Sequence, residues 1–221
     1  MLNAVIFDFD GIIVDSEPFH YRAFRSVLDS LGRKLAWQEY CQGYLGLDDR
    51  DAFKKALTTE NQRITNTELE CLIGKKTIAF QKRVRAEKIT PFPGVMDLIG
   101  NLASQVPIAL CSGGLKRDIL PIIRQLGIGN AFEHIVTAED TEKSKPDPAP
   151  YLLTISKLGL ADAGTAVAIE DSAAGIRSAR AAGLKVLAVT NSHHRKQLHE
   201  SDAQTDSLKE ITLVSLENMF F

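Results

Sequence analysis

A short apolar run that ends in acids, followed by a long stretch with no second run, limits what this chain can fold into more than any other feature. Residues 4–9, Ala-Val-Ile-Phe-Asp-Phe, are β-branched and apolar until the aspartate. Similar runs recur at 106–111, 134–137, 166–169 and 185–189, with helical patterns at 116–126, 149–158 and 172–182 between them. Strand and helix alternating in this way predict a parallel α/β sheet flanked by helices. Each of those three helical patterns runs into a glycine and an apolar residue, at Gly127-Ile128, Gly159-Leu160 and Gly183-Leu184. That pairing stops a helix, because glycine takes the left-handed conformation and the apolar neighbour packs back on the last turn.

The first connection breaks the rhythm. Connections in α/β units usually take about 2–6 residues plus one helix, yet the next strand-like run lies beyond residue 100. The intervening chain holds amphipathic stretches at 18–31, 36–44, 48–57 and 66–88, and no strand pattern. It is predicted to be an all-helical domain inserted after the first strand, spanning residues 15–90, with 1–14 and 91–221 forming the α/β core. Pro91-Phe92-Pro93-Gly94 marks the return. Phe19, Phe24 and Trp37 are expected in the core of the insertion.

Composition narrows the function class. The 221 residues carry 26 Lys+Arg against 28 Asp+Glu, a net charge of −2. Without a basic surplus, neither nucleic acid nor an anionic membrane is expected as a partner. No apolar run approaches the roughly 20 residues that cross a bilayer. The start lacks a basic flank and a long apolar stretch, so no signal peptide is expected. Cys41, Cys71 and Cys111 are odd in number and far apart, which suits reduced, mostly structural thiols. A cytoplasmic monomer is the expectation.

In open α/β sheets ligands bind beyond the carboxyl ends of the strands, so the residues after each apolar run matter. They are Asp8-Phe9-Asp10-Gly11, Ser112-Gly113-Gly114, Lys145-Pro146-Asp147-Pro148 and Glu170-Asp171-Ser172. Singly, each has a bland reading: a turn, a loop, a solvated lysine, a helix cap. Together they deliver four carboxylates, a hydroxyl and an ammonium to one edge. Clustered carboxylates repel, so a cation is expected among them. Asp8, the Asp10 backbone carbonyl, Glu170 and Asp171 offer oxygen only, the preference of Mg²⁺ and not of zinc. If the first strand continues, Asp10 falls on the same face as Asp8. His193-His194, after the last predicted strand, read as loop.

The four motifs, in this order and spacing, resemble those of the haloacid dehalogenase superfamily of phosphotransferases. Asp15-Ser16-Glu17-Pro18 and the helical insertion resemble the subgroup of β-phosphoglucomutase and related sugar-phosphate phosphatases. The resemblance implies a Rossmann-like core with a helical cap, a small phosphorylated substrate, and transfer through a phosphoaspartate. It implies Asp8 as nucleophile, Asp10 as general acid–base, and Ser112 and Lys145 as phosphate-stabilising catalytic groups. Gly11, Gly113 and Gly114 would line the substrate, and Lys116 would bind phosphate. In the cap, Glu17, His20, Gly46, Arg50 and Lys76 resemble the subgroup's substrate-reading positions, with His20 otherwise an ordinary half-buried helix histidine and Lys75 an alternative to Lys76. A Mg²⁺-dependent phosphatase is the leading expectation. The mutase is the alternative, although Ser112-Gly113-Gly114-Leu115-Lys116-Arg117 departs from the mutases' Ser-Lys-Asn pattern. A non-catalytic phosphosugar sensor or scaffold is a third.

Overall fold

A computed structural model describes residues 1–45, 47, 49–58 and 64–221. In chain order its elements are β1 (Ala4–Phe7), α1 (Glu17–Ser30), α2 (Trp37–Gly43), α3 (Asp49–Leu57), α4 (Asn66–Ala86), α5 (Val95–Ala103), β2 (Ile108–Cys111), α6 (Lys116–Leu126), β3 (His134–Val136), α7 (Ala149–Lys157), β4 (Ala166–Glu170), α8 (Ala173–Ala181), β5 (Lys185–Val189), β6 (Ala203–Thr205) and α9 (Leu213–Phe220). The chain divides into two compact units, Met1–Asp15 with Ile89–Phe221, and Ser16–Lys88.

The first unit holds one six-stranded sheet in the order β3-β2-β1-β4-β5-β6, and every neighbouring pair is parallel. Every residue of β1, β2 and β4 is buried, as expected of strands covered by helices on both faces. On one face Ala4, Ile6, Cys111, Ala166 and Ala168 pack with Tyr151, Ile155 and Ile176 from α7 and α8. On β1 the intervening residues Val5 and Phe7 point the other way, and Phe7 meets Phe132 edge-on at 6.2 Å. The chain leaves β1 toward β2 on one side and reaches β4 on the other, so the crevice of this sheet opens at the carboxyl end of β1. The glycines expected to end α6, α7 and α8 do have positive φ, at 72°, 65° and 88°.

Among the described residues of the second unit, every regular element is a helix. Its core gathers Phe24, Val27, Phe53, Leu69 and Leu72, with Phe24 and Phe53 ring to ring at 4.7 Å. Thr65 opens α4 with a reciprocal capping box to Glu68, which supplies partners for two otherwise orphaned backbone N–H groups.

Several expectations are corrected. The first strand stops at Phe7, so Asp10 sits in a turn rather than on a strand face. Trp37 is 41% exposed and lies against Tyr21 and Tyr40 from outside, unlike the buried Phe19 and Phe24. The strand at 185–189 is not the last, because the three-residue β6 pairs beyond it. β6 is too short and polar to show a pattern, and neither α5 nor α9 is anticipated from the sequence. The three thiols are free; Cys111 is buried, whereas Cys71 is exposed.

Phe53 is fully buried. Its replacement by Ala removes a large ring that its neighbours cannot fully replace. Phe53→Ala is expected to cost about 3–5 kcal/mol of stability, measured by urea unfolding with a probe in the helical unit.

Candidate active site

The carboxyl edge of β1 continues into Asp8, whose backbone N–H donates to the Ile169 carbonyl at 3.0 Å. That bond sets Asp8 beside the end of β4, where Glu170 and Asp171 lie next in the chain. Asp8, Glu170 and Asp171 are all buried, and one oxygen of each lies within 4.8 Å of the others. Lys145 enters from the loop before α7, ahead of a cis Lys145–Pro146 peptide. Its Nζ donates to Asp8 Oδ1 at 2.7 Å, Glu170 Oε1 at 2.6 Å and the Cys111 carbonyl at 2.9 Å. An ammonium has three donors, and these acceptors, with the Tyr151 hydroxyl at 3.3 Å, occupy them all.

Glu170 is held from every side. Tyr151 donates its hydroxyl to Oε1 at 2.8 Å. The Ser172 hydroxyl donates to Oε2 at 3.1 Å, and the Asp171 and Ser172 N–H groups lie at 3.2 and 3.4 Å. Ser172 also caps α8 by accepting from the Gly175 N–H at 3.0 Å. Gly175 is required there, because a Cβ would stand 1.9 Å from Glu170 Oε1.

Gly11 is governed by the same crowding. Its φ is +81°, and a Cβ would stand 1.9 Å from Asp171 Oδ2. Its hydrogen atom is what lets the Asp8–Asp10 turn and the Asp171 carboxylate occupy adjoining space. Asp10 is half-buried in that turn and near enough that its charge works against the ionisation of Asp171.

Ser112 is buried at the end of β2, and its Oγ accepts from the Gly114 N–H at 3.0 Å. A Cβ on Gly113 would meet open space, whereas one on Gly114 would press on Ile119 at 3.1 Å. Lys116 is exposed and pairs with Asp140 at 2.7 Å. It is not among the groups gathered around Asp8.

In the helical unit, Lys76 is buried and Lys75 exposed. Adjacent helix residues point about 100° apart, which separates the two lysines the sequence leaves open. Lys76 Nζ lies 2.6 Å from Asp49 Oδ1 and donates to His20 Nδ1 at 2.7 Å. His20 stacks on Phe80 at 4.2 Å. Burial, then the Lys76 charge, hold its imidazole neutral by pushing its pKa well below the ordinary value. Glu17 opens α1 and accepts from the Tyr40 hydroxyl at 2.5 Å. Arg50 pairs with Glu70. Gly46 lies outside the described residues, as does Asp48 at the start of the predicted 48–57 helix.

Electrostatics show what the Asp8 cluster lacks. Three carboxylates share one ammonium, leaving a formal −2. Burial raises the Asp8 pKa well above the carboxylate range; Lys145 opposes the shift, and Glu170 and Asp171 add to it. Asp171 is pushed up to about 7, by burial first and then by Glu170. Burial works against the Lys145 charge, but Asp8 and Glu170 outweigh it and raise its pKa. A deficit of two positive charges beside oxygen donors fits a divalent cation. Tyr151, missed from the sequence, belongs to this cluster. Only the helical register after Lys145 hints at it.

A parallel sheet with buried carboxylates and a lysine gathered at its switch point defines an α/β enzyme equipped to hold a divalent metal. Residues 5–189 match the model of the haloacid dehalogenase-like hydrolase family, and the chain belongs to that family. It is 29% identical over 185 residues to the phosphorylated carbohydrates phosphatase of Thermotoga maritima, covering 83% of each protein. It is also 29% identical over 194 residues to the β-phosphoglucomutase of Bacillus subtilis, covering 85% of this chain and 83% of that one. The crystal structure of CbbY from Rhodobacter sphaeroides in complex with phosphate has the same fold, with a TM-score of 0.87 at 24% identity over 98% of this chain and all of that one. The chain is therefore a phosphoric monoester hydrolase or phosphomutase.

The shift of Asp171 carries a pH signature. Its ordinary value is 3.8 and its folded value about 7. Between them the metal-free folded state binds more protons than the unfolded chain, so this contribution to stability is lost as pH rises through the window. His20 acts oppositely, because its lowered pKa penalises folding below its ordinary value of 6.5. Comparison with Asp171→Asn cancels that effect. In chelator, the thermal midpoint of Asp171→Asn is expected to gain on the wild type from about pH 5 to pH 8, read by differential scanning fluorimetry. A gap that stays flat or narrows counts against a proton-binding Asp171.

Proposed function

We propose that this protein is a Mg²⁺-dependent phosphatase that hydrolyses a small phosphorylated metabolite, a sugar phosphate, through an aspartyl-phosphate on Asp8. The observation that carries the reading is the sharing of Lys145 between Asp8 and Glu170 inside a buried, electron-rich cluster. A carboxylate is a poor nucleophile toward an anionic phosphate unless charge is compensated at the point of attack. Lys145 is anchored to do this, with Glu170 and Tyr151 fixing its position rather than the substrate's.

Asp8, Asp171 and the Asp10 carbonyl are the proposed metal ligands. Glu170 completes the acidic set, although its two oxygens already have protein donors. Held by these residues, Mg²⁺ would supply charge neutralisation for the approach of a carboxylate to an anionic phosphate. Asp8 then attacks phosphorus, and the bond to the leaving oxygen breaks as Asp10 gives that oxygen a proton. In the second half Asp10 takes a proton from water, the oxygen attacks phosphorus, and the Asp8–phosphorus bond breaks to free inorganic phosphate. Ser112 and the Gly113–Gly114 backbone are proposed to cradle the equatorial oxygens, with Gly11 closing the turn beneath. Residues 15–90 are read as a cap that excludes water and recognises the substrate, with 1–14 and 91–221 as the catalytic core. A monomer in the cytoplasm suits a metabolite phosphatase, and among the described residues no helix is long and apolar enough to cross a membrane.

A mutase that rebinds a bisphosphate needs cations free to hold a second phosphate. Here Lys76 is matched by Asp49, Arg50 by Glu70 and Lys116 by Asp140. That matching favours the phosphatase. The likeness to a β-phosphoglucomutase and the Lys76–His20 contact keep the mutase as the second reading.

Asp8→Asn is expected to lose at least about 10³-fold of Mg²⁺-dependent p-nitrophenyl phosphate hydrolysis, and acid-quench trapping to find acyl-phosphate on Asp8 in the wild type. Full turnover by the variant would exclude the covalent route, and absence of turnover in the wild type would favour a non-catalytic relative. With β-glucose 1-phosphate and glucose 1,6-bisphosphate, inorganic phosphate is the expected product. Rapid glucose 6-phosphate formation with little phosphate would establish the mutase instead.

A further inference from the structure

The strand-end rule that located the other motifs applies equally to β5, where it points to Asn191 and Ser192. Asn191 Nδ2 donates to the Gly11 carbonyl at 2.8 Å. The Ser192 hydroxyl and the Asp171 carboxylate meet over Gly11, and the hydroxyl favours the charged form of Asp171. The two contacts converge on one point: a Cβ on Gly11 would stand 1.9 Å from Asp171 Oδ2 and 2.6 Å from Ser192 Oγ. The next residue, His193, turns Nδ1 toward the same Asp171 oxygen at 4.0 Å, too far for a hydrogen bond. That nitrogen is buried and has no hydrogen-bond partner among the described residues.

Asp171 therefore has Glu170 and Asp10 repelling it, the Lys145 charge attracting it, and the Ser192 hydroxyl of the β5 loop beside it. A buried carboxylate under repulsion relaxes away unless something fixes its rotamer. Ligand geometry that is set before the ion arrives strengthens binding, which is why partners one step removed from a metal are costly to lose.

We propose that Asn191 and Ser192 are positioning residues for the divalent-metal site, Ser192 orienting Asp171 and Asn191 locking the Gly11 turn that carries Asp10. The proposal rests on the metal reading given under the proposed function. Neither residue touches the reacting atoms. Each acts through the group that it holds: the hydroxyl keeps Asp171 turned toward Asp8, and the amide keeps the Asp8–Gly11 backbone at a fixed distance from the β5 loop.

Mn²⁺ alone, titrated calorimetrically into the full chain, reads this without turnover. Ser192→Ala and Asn191→Ala are each expected to weaken Mn²⁺ binding about tenfold or more. Ser192→Thr, which keeps the hydroxyl, is expected to stay within about twofold of wild type. Unchanged affinity in Ser192→Ala overturns the positioning role and leaves the metal reading intact, whereas no Mn²⁺ binding by the wild type overturns both. A loss in Ser192→Ala that Ser192→Thr does not restore also overturns it, because loop packing and not the hydroxyl would then be responsible. If Asn191→Ala fails to fold, the Ala and Thr variants of Ser192 decide alone.

Discussion

One buried ammonium organises the carboxyl edge of the sheet. Lys145 donates to carboxylates from two strand ends, Asp8 after β1 and Glu170 at the end of β4, and to the carbonyl of Cys111 at the end of β2. It therefore ties together three neighbouring strands at the point where the sheet changes winding direction. Removing one partner of a buried charged set leaves the others without compensation, which is far more costly than losing an exposed ion pair. The exposed pairs of the same chain, such as Arg177 with Glu200, each contribute at most about 1 kcal/mol.

That arrangement demands room, and two glycines provide it. Carboxylates pack onto backbone where a Cβ would otherwise sit: Asp171 over Gly11 and Glu170 over Gly175. The part expected of Gly11 changes accordingly. Its need for glycine comes from a neighbouring ligand candidate, and contact with substrate is not required to explain it. The same economy of space explains why the α8 N-terminus can place two N–H groups and a serine hydroxyl around one Glu170 oxygen.

The helical unit meets its charges in a different way. Lys76 is buried yet bonded to both Asp49 and a neutral His20, so the unit carries no bare cation at that position. The cluster around Asp8, by contrast, keeps two of its carboxylates without a matching cation of their own.

The alternation of runs and helices, the helix-stopping glycines and the long helical insertion were legible without coordinates, because hydrophobic period and glycine conformation act locally. The chemistry-bearing motifs were legible for a related reason: in a parallel sheet, the residues just past each strand land on one edge. Asp10 differs: β1 ends at Phe7, and the turn that closes on Val14 carries this side chain where strand alternation would not. Tyr151, the Asp49 partner of Lys76, the pairing of Lys116 with Asp140 and the hold of Ser192 on Asp171 depended on tertiary structure. Each joins residues from separate elements, and no local periodicity encodes which charges will meet when those elements pack. Residue types and their order determined the kind of chemistry; only the packed chain decided which of its charged groups remain available to perform it.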